Sequence, residues 1–194
     1  MRIILGSQSP RRLEILRQVV PDGMAVEVII PDIDERAIRM PSAATLTLAI
    51  ARAKNRAVRA GVDGDAVILT ADTVAVCNTR VREKPTDPAQ LQHWLETYRH
   101  HPVTAVTSLW VHRTATGWAG SVTDTAKVFF RPFTDARIRE IVRDRAFYGS
   151  AGGFLIEHPL MEHEVMEISG DRETVQGLPG RLAKLLVRDA LESR

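Results

Sequence analysis

The 194-residue chain has one cysteine, Cys77, which excludes an intrachain disulfide and points to a reducing, cytoplasmic setting. Aromatic residues make up only 5% of it and the formal net charge is only +2. A nucleic-acid-coating protein needs stacking surfaces and a cationic field, so nucleic acid is not an expected partner. No apolar run approaches the roughly 18 residues of a membrane span. Met1-Arg2 leads straight into an apolar segment, without the basic, apolar and small-residue order of a signal peptide, so a membrane is not expected either. Covalent catalysis also lacks its marks: Ser7, Ser9 and Cys77 have no histidine-and-acid partner pattern, and no G-x-S-x-G elbow occurs. The six histidines show no metal-ligand spacing.

What is present is a soluble-protein composition, 44% hydrophobic and 26% charged, with no repeat and no linker. That length suits one sizeable core, or two small lobes sharing a cleft, and we expect a single domain over residues 1–194. Ile3-Ile4-Leu5 reads as a strand, followed by the loop Gly6-Ser7-Gln8-Ser9 and a helix opened by Pro10. Residues 24–30 read as a strand stopped by Pro31, and Ser42 caps a long helix to about Ala60. Residues 66–70 form a near-continuous apolar run, the mark of a strand buried on both faces, which delivers Asp72 and Thr73 at its C-terminal end. A hairpin over residues 74–82 follows, then a helix after Asp87-Pro88. Two longer strands at 103–112 and 121–130 precede a helix capped by Thr134, a strand at 165–168 and a last helix bearing Leu182, Leu185 and Leu186. Interleaved helices and strands with hairpins in the middle predict an α/β fold with a mixed sheet and flanking helices.

Three polar clusters stand beside strand ends or turns: residues 7–12, 32–35 and 72–84. In the first, a helix start offers unpaired N–H groups and a partial positive charge, with Ser7, Ser9, Arg11 and Arg12 beside it, a set suited to phosphate. A solvated helix start with a serine cap fits the same residues. Asp34, Glu35 and Asp72 have the oxygen chemistry of a hard divalent cation, although an acidic loop is more often only solvated. Asp72 lies where open α/β sheets place ligands, or it caps a turn through Thr73. Lys84, held between Glu83 and Pro85, suits a phosphate or pairs with its neighbour. Lys54 sits on the inward side of its helix, snorkelling outward or pointing into a cleft.

Together these residues resemble the Maf family of nucleoside triphosphate pyrophosphatases. The resemblance is carried, in order, by Ser7-Gln8-Ser9-Pro10-Arg11-Arg12, Asp32-Ile33-Asp34-Glu35, Ala51-Arg52-Ala53-Lys54, Ala71-Asp72-Thr73-Val74, Lys84-Pro85, Ala151-Gly152-Gly153-Phe154 and Gly177-Leu178-Pro179. It implies an inosine triphosphatase-like mixed α/β fold with two lobes around a cleft, often as a homodimer. The implied reaction is hydrolysis of a nucleoside triphosphate to the monophosphate and pyrophosphate with magnesium or manganese. It also implies Asp72 as proton acceptor, Glu35 and Asp72 as metal-side carboxylates, and Ser7, Arg11, Arg12, Lys54 and Lys84 as triphosphate contacts. Arg11, Thr73 and Glu157 fall at positions where the family separates substrates. The first two match its dTTP/UTP branch and the glutamate matches its 7-methyl-GTP branch. Two motifs are altered: residues 101–106 read His-Pro-Val-Thr-Ala-Val where the family has His-Glu-Val-x-Thr-Gly, and Glu83 replaces the usual glycine before Lys84. These changes leave open a nucleotide-binding regulator without turnover, linked to cell division.

Overall fold

The first strand is deeply covered. In the computed structural model, which describes residues 1–194, Ile3, Ile4 and Leu5 of β1 (Arg2–Gly6) are each 0% exposed, as expected of a strand with layers on both faces. The chain forms two compact units interleaved along the sequence. Unit 1 holds Met1–Asp72, Thr107–Asp124 and Gly177–Arg194; unit 2 holds Thr73–Val106 and Thr125–Gln176. Three strands contribute residues to both: β3 (Ala66–Cys77), β5 (Val103–Arg113) and β6 (Ala119–Phe130).

In unit 1 the strand order is β2-β1-β3-β5-β6, with β2 (Val26–Val28) at the edge. Strand β1 pairs in parallel with β2 and β3, setting Ile3 beside Val26 and Val67, and Gly6 beside Thr70. Helix α1 (Pro10–Val19) makes the parallel crossover from β1 to β2. On one face Ile3, Leu5, Val67, Leu69, Leu109 and Val111 meet α1 and α6 (Gly180–Glu192), which contribute Leu16, Ala183 and Val187. The expected apolar stripe of α6 turns by a step: Ala183, Val187 and Ala190 are buried, and Leu185 is exposed. Helix α2 (Ala43–Arg59) covers the other face, where the apolar contact is small: Ile4, Val58, Ala66 and Ile68. Arg113 fastens the end of α6, donating to the Leu191 and Ser193 carbonyls while pairing with Asp65 at 3.1 Å. That guanidinium holds the Asp65 carboxyl below its ordinary range.

In unit 2 the order is β4-β3-β5-β6-β7, with β4 (Arg80–Arg82) antiparallel to β3 and β7 (Val165–Ser169) antiparallel to β6. The β3–β4 turn uses Asn78 and Thr79, both at positive φ. Helices α3 (Pro88–Tyr98) and α4 (Asp135–Arg143) and the short α5 (Arg172–Val175) complete the unit. Its core gathers Leu91, Leu95, Tyr98, Phe130, Phe133, Ile141, Phe147 and Phe154. Arg82 is buried within it, its guanidinium 4.8 Å from the Tyr98 ring and donating to the Trp94 carbonyl. Burial drives the Tyr98 hydroxyl pKa upward, and that hydroxyl donates to the Gly152 carbonyl.

The sequence reading needs one correction that bears on the site. Residues 66–70 and 74–77 are a single strand, so Asp72 does not follow a strand end; it lies within β3, with Thr70 and Val74 buried on either side. The apolar residues beyond Asp72 continue the strand, and a charged residue inside it was mistaken for a terminus. The sheet is mixed and flanked by helices, as expected.

Candidate active site

The loop after β1 is built as its residues predict. Ser9 caps α1, accepting from the Arg12 N–H at 3.4 Å, and Pro10 occupies the first helical position. Ser7 is buried, and its Oγ accepts from the Ser9 N–H at 3.1 Å. Gly6 admits no side chain, because a Cβ there would stand 2.5 Å from Thr70 Cγ2 on the neighbouring strand.

Arg12 and Arg11 differ. Arg12 donates from Nη1 to the Ala71 carbonyl at 2.8 Å and from Nε to the Gly177 carbonyl at 2.9 Å. It therefore ties the first motif to the residue before Asp72 and to the start of Gly177-Leu178-Pro179. Arg11 lies at the surface and pairs with Glu14 at 2.8 Å.

Lys54 is the most unusual residue of unit 1. The residue is 6% exposed, with its ammonium 2.8 Å from Asp72 Oδ1 and 3.0 Å from Glu35 Oε1. Asp72 is itself 5% exposed, whereas the Glu35 side chain is nearly half exposed. Burial pushes the Asp72 carboxyl above its ordinary range, and Lys54 and Arg12 oppose that rise. Thus Lys54, Asp72, Glu35, Ser7 and Arg12 are brought together in one unit. A buried lysine between two carboxylates is a poor way to gain stability, which makes this cluster the candidate site of unit 1.

Glu35 reaches Lys54 from a single 3-10 turn, Glu35–Ala37, capped by Asp34, whose side chain accepts from the Arg36 N–H. Asp34 thereby takes the capping role of an acidic loop residue, while Glu35 faces the cluster.

Thr73, Lys84 and Glu157 belong to unit 2. Thr73 is half-buried in β3, Lys84 is exposed after β4, and Glu157 is half-buried in a turn following Ile156. The altered Glu83 keeps a defined backbone role, its carbonyl accepting from the Gly152 N–H at 2.8 Å. Gly152 has φ 69° and a Cβ there would stand 2.5 Å from Ala75 Cβ, so this turn requires glycine.

Sequence reasoning passed over the polar residues that dock α2. Thr47 meets Ser108, Thr70 donates to the Ala51 carbonyl at 2.7 Å, and Asn55 donates to the Ile68 carbonyl at 2.9 Å. Their signal was visible as polar residues on the stripe of α2 and in the β5 pattern where apolar ones were expected.

The chain is 35% identical over 192 residues to a 7-methyl-GTP pyrophosphatase of Dictyostelium discoideum, covering 95% of each chain. It is 31% identical over 181 residues to a dTTP/UTP pyrophosphatase of Vibrio vulnificus, covering 92% of each. A Streptomyces coelicolor nucleoside triphosphate pyrophosphatase is 32% identical over 192 residues, covering 97% of this chain and 90% of that one. In fold, a Vibrio cholerae protein of solved structure aligns over 99% of this chain and 96% of its own, with TM-score 0.51 and 18% identity. A HAM1 protein from Coxiella burnetii aligns over 98% and 97%, with TM-score 0.51 and 14% identity. The family model described as Maf-like protein matches residues 2–190, and the chain belongs to the Maf family.

Proposed function

We propose that this chain is a nucleoside triphosphate pyrophosphatase acting on dTTP and UTP or on a modified nucleotide such as 7-methyl-GTP. The observation that carries the reading is the buried Lys54–Asp72 pair, with Glu35 on the same ammonium and Arg12 joined to the preceding carbonyl. Family membership over residues 2–190 and relatives named for this activity support it.

In the proposed reaction Asp72 accepts a proton from water. Burial strengthens the proton affinity of its carboxylate, and Lys54 and Arg12 act in the opposite sense by favouring its ionised form. The water oxygen bonds to the α-phosphorus, the bond from that phosphorus to the oxygen bridging the β-phosphorus breaks, and pyrophosphate departs. Lys54, Arg11 and Lys84 offset phosphate charge, with Ser7 as a hydrogen-bonding group. Arg12 adds its charge while holding Ala71 and Gly177 in place. Hydrolysis of this kind is mostly positioning and electrostatics, so no nucleophilic side chain is required.

Magnesium or manganese suits the donor set. Glu35 and Asp72 present hard oxygens to one point, now taken by the Lys54 ammonium, and magnesium characteristically uses one or two carboxylates with water and phosphate oxygens. Those two residues would hold the cation, which when bound supplies phosphate charge neutralisation and a more acidic water.

Base choice is assigned to Arg11, Thr73 and Glu157. An ionised glutamate only accepts hydrogen bonds, whereas glutamine also donates, so Glu157 favours a base edge that offers donors or positive charge. The deciding experiment measures pyrophosphate release from dTTP, UTP, CTP and 7-methyl-GTP with magnesium or manganese. Release from at least one of them is expected, and release from none of a broad nucleotide panel would overturn the proposal.

A further inference from the structure

Helix α2 buries Leu46, Ile50, Ala51 and Val58, and it also meets its sheet through directed polar bonds. Thr47, Ala51, Lys54 and Asn55 share the stripe that faces β3 and β5, and each is tied there: Thr47 to Ser108, the Ala51 carbonyl to Thr70, Lys54 to Asp72, Asn55 to the Ile68 carbonyl. Thr47 and Ser108 are both 0% exposed. Ser108 Oγ lies 2.7 Å from Thr47 Oγ1 and 2.7 Å from Thr123 Oγ1, so three hydroxyls form one chain from β6 through β5 to α2.

Counting protons gives one arrangement of this chain. Each hydroxyl has one. The Thr47 hydroxyl donates back along its own helix, to the Ala43 carbonyl at 3.0 Å and the Ala44 carbonyl at 3.2 Å. In that arrangement Thr47 accepts from Ser108, and Ser108 accepts from Thr123, although either oxygen of each pair can donate.

Two fully buried hydroxyls joined to a half-buried third make little sense for adhesion alone. Valine, alanine and valine of similar shape would hold a helix on a sheet without the desolvation cost of polar groups. What hydroxyls add is direction, since a hydrogen bond fixes distance and angle where apolar contact tolerates sliding. Lys54 lies seven residues beyond Thr47, about two helical turns along the same face.

We propose that the Thr123–Ser108–Thr47 hydroxyl chain is a positioning device that sets the rotation and height of α2 so that the Lys54 ammonium meets Asp72. Ser108 and Thr47 are thus positioning residues for the hydrolytic site, and touch neither substrate nor the reacting atoms. The kinetic part of this inference rests on the pyrophosphatase reading; its thermodynamic part does not.

The test is a double-mutant cycle between Ser108→Ala and Lys54→Met, with Thr47→Val as a second entry to the chain and Ser108→Thr as the conservative rescue. Both pyrophosphate release and the unfolding equilibrium are read. Ser108→Ala and Thr47→Val should each lower kcat/KM about tenfold, mostly in kcat, and Ser108→Thr should restore it to within about twofold of wild type. In the Lys54→Met background, Ser108→Ala should cost less than about twofold more. The unfolding constants of the two substitutions should depart from additivity by about fivefold or more, since independent sites add. Wild type without turnover but with coupled unfolding would sink the activity reading and leave the positioning role standing. Turnover unchanged in Ser108→Ala and Thr47→Val, or the same tenfold loss with and without Lys54, or additive unfolding, would each overturn the positioning role.

Discussion

Replacing Lys54 with methionine isolates the electrostatics of the candidate site, because the volume is nearly kept while the buried charge is lost. The partner left behind is Asp72, 5% exposed, which would then face only Arg12 as a nearby cation and Glu35 as a like charge. Removing one member of a buried pair costs about 3–5 kcal/mol, much of it the exposure of the survivor to an uncompensated low-dielectric site. Asp72 limits that loss by taking up a proton, so about 3 kcal/mol is expected near pH 8. For a chain of this length about 3 kcal/mol corresponds to a fall in Tm of about 6–12 °C.

The pH dependence has a definite sign. Burial raises the Asp72 pKa above its unfolded value, so between the two values the folded protein binds more protons than the unfolded one. Stability therefore falls as pH rises through that window. Lys54 opposes the shift; without it the window widens upward, and the deficit of Lys54→Met should be largest at pH 8 and shrink towards pH 5. Adding Asp72→Asn to Lys54→Met should return more than half of the lost stability. Urea unfolding followed by tryptophan fluorescence is a suitable assay, since Trp110 and Trp118 both lie in unit 1. A deficit that is equal at pH 5 and pH 8, with no recovery from Asp72→Asn, would refute the assignment of Lys54 as the counter-charge of a buried carboxylate.

Asp72→Asn alone should lower kcat about 10²–10⁴-fold with folding retained, measured as pyrophosphate release beside a melting curve. Glu157→Gln should change the ratio of kcat/KM between dTTP and 7-methyl-GTP by about tenfold or more, and an unchanged ratio would remove Glu157 from base recognition. Arg113→Met should cost about 2 kcal/mol in urea unfolding, because it deprives the end of α6 of its carbonyl contacts and Asp65 of its partner. Gly152→Ala should destabilise by more than 1 kcal/mol, combining positive φ with the approach to Ala75, whereas Gly117→Ala, with open space around it, should cost less.

Much of the fold was legible because the decisive signals were local. Pro10 and Ser9 announce α1, Ser42 and Gly61 bracket α2, and the apolar residues of β1 and β3 declare strands covered on both faces. Of the candidate site residues, Ser7, Arg12, Lys54, Asp72 and Glu35 converge in unit 1. What escaped was non-local. The division of labour between Arg11 and Arg12 depends on carbonyls 59 and 165 residues away, which no window along the chain contains. The continuity of β3 through Asp72 was hidden because a buried aspartate reads as a strand end unless its cation, 18 residues earlier, is known.

The buried stripe of α2 mixes apolar and polar residues. An amphipathic helix docked for stability alone would bury apolar residues throughout, and here Leu46, Ile50, Ala51 and Val58 comply while Thr47, Lys54 and Asn55 do not. Lys54 cannot be apolar if it serves Asp72, and once a charge must be held at a fixed point, the neighbouring contacts gain from being directional as well. Thr47 and Asn55 supply that on either side of it, at a desolvation cost offset by full hydrogen bonding. Three departures from the local rule, Thr47, Lys54 and Asn55, thus share the stripe of α2 that carries a buried lysine. That clustering is what distinguishes a site from scattered imperfection, and it ties the docking of α2 and the chemistry of Asp72 to a single cause.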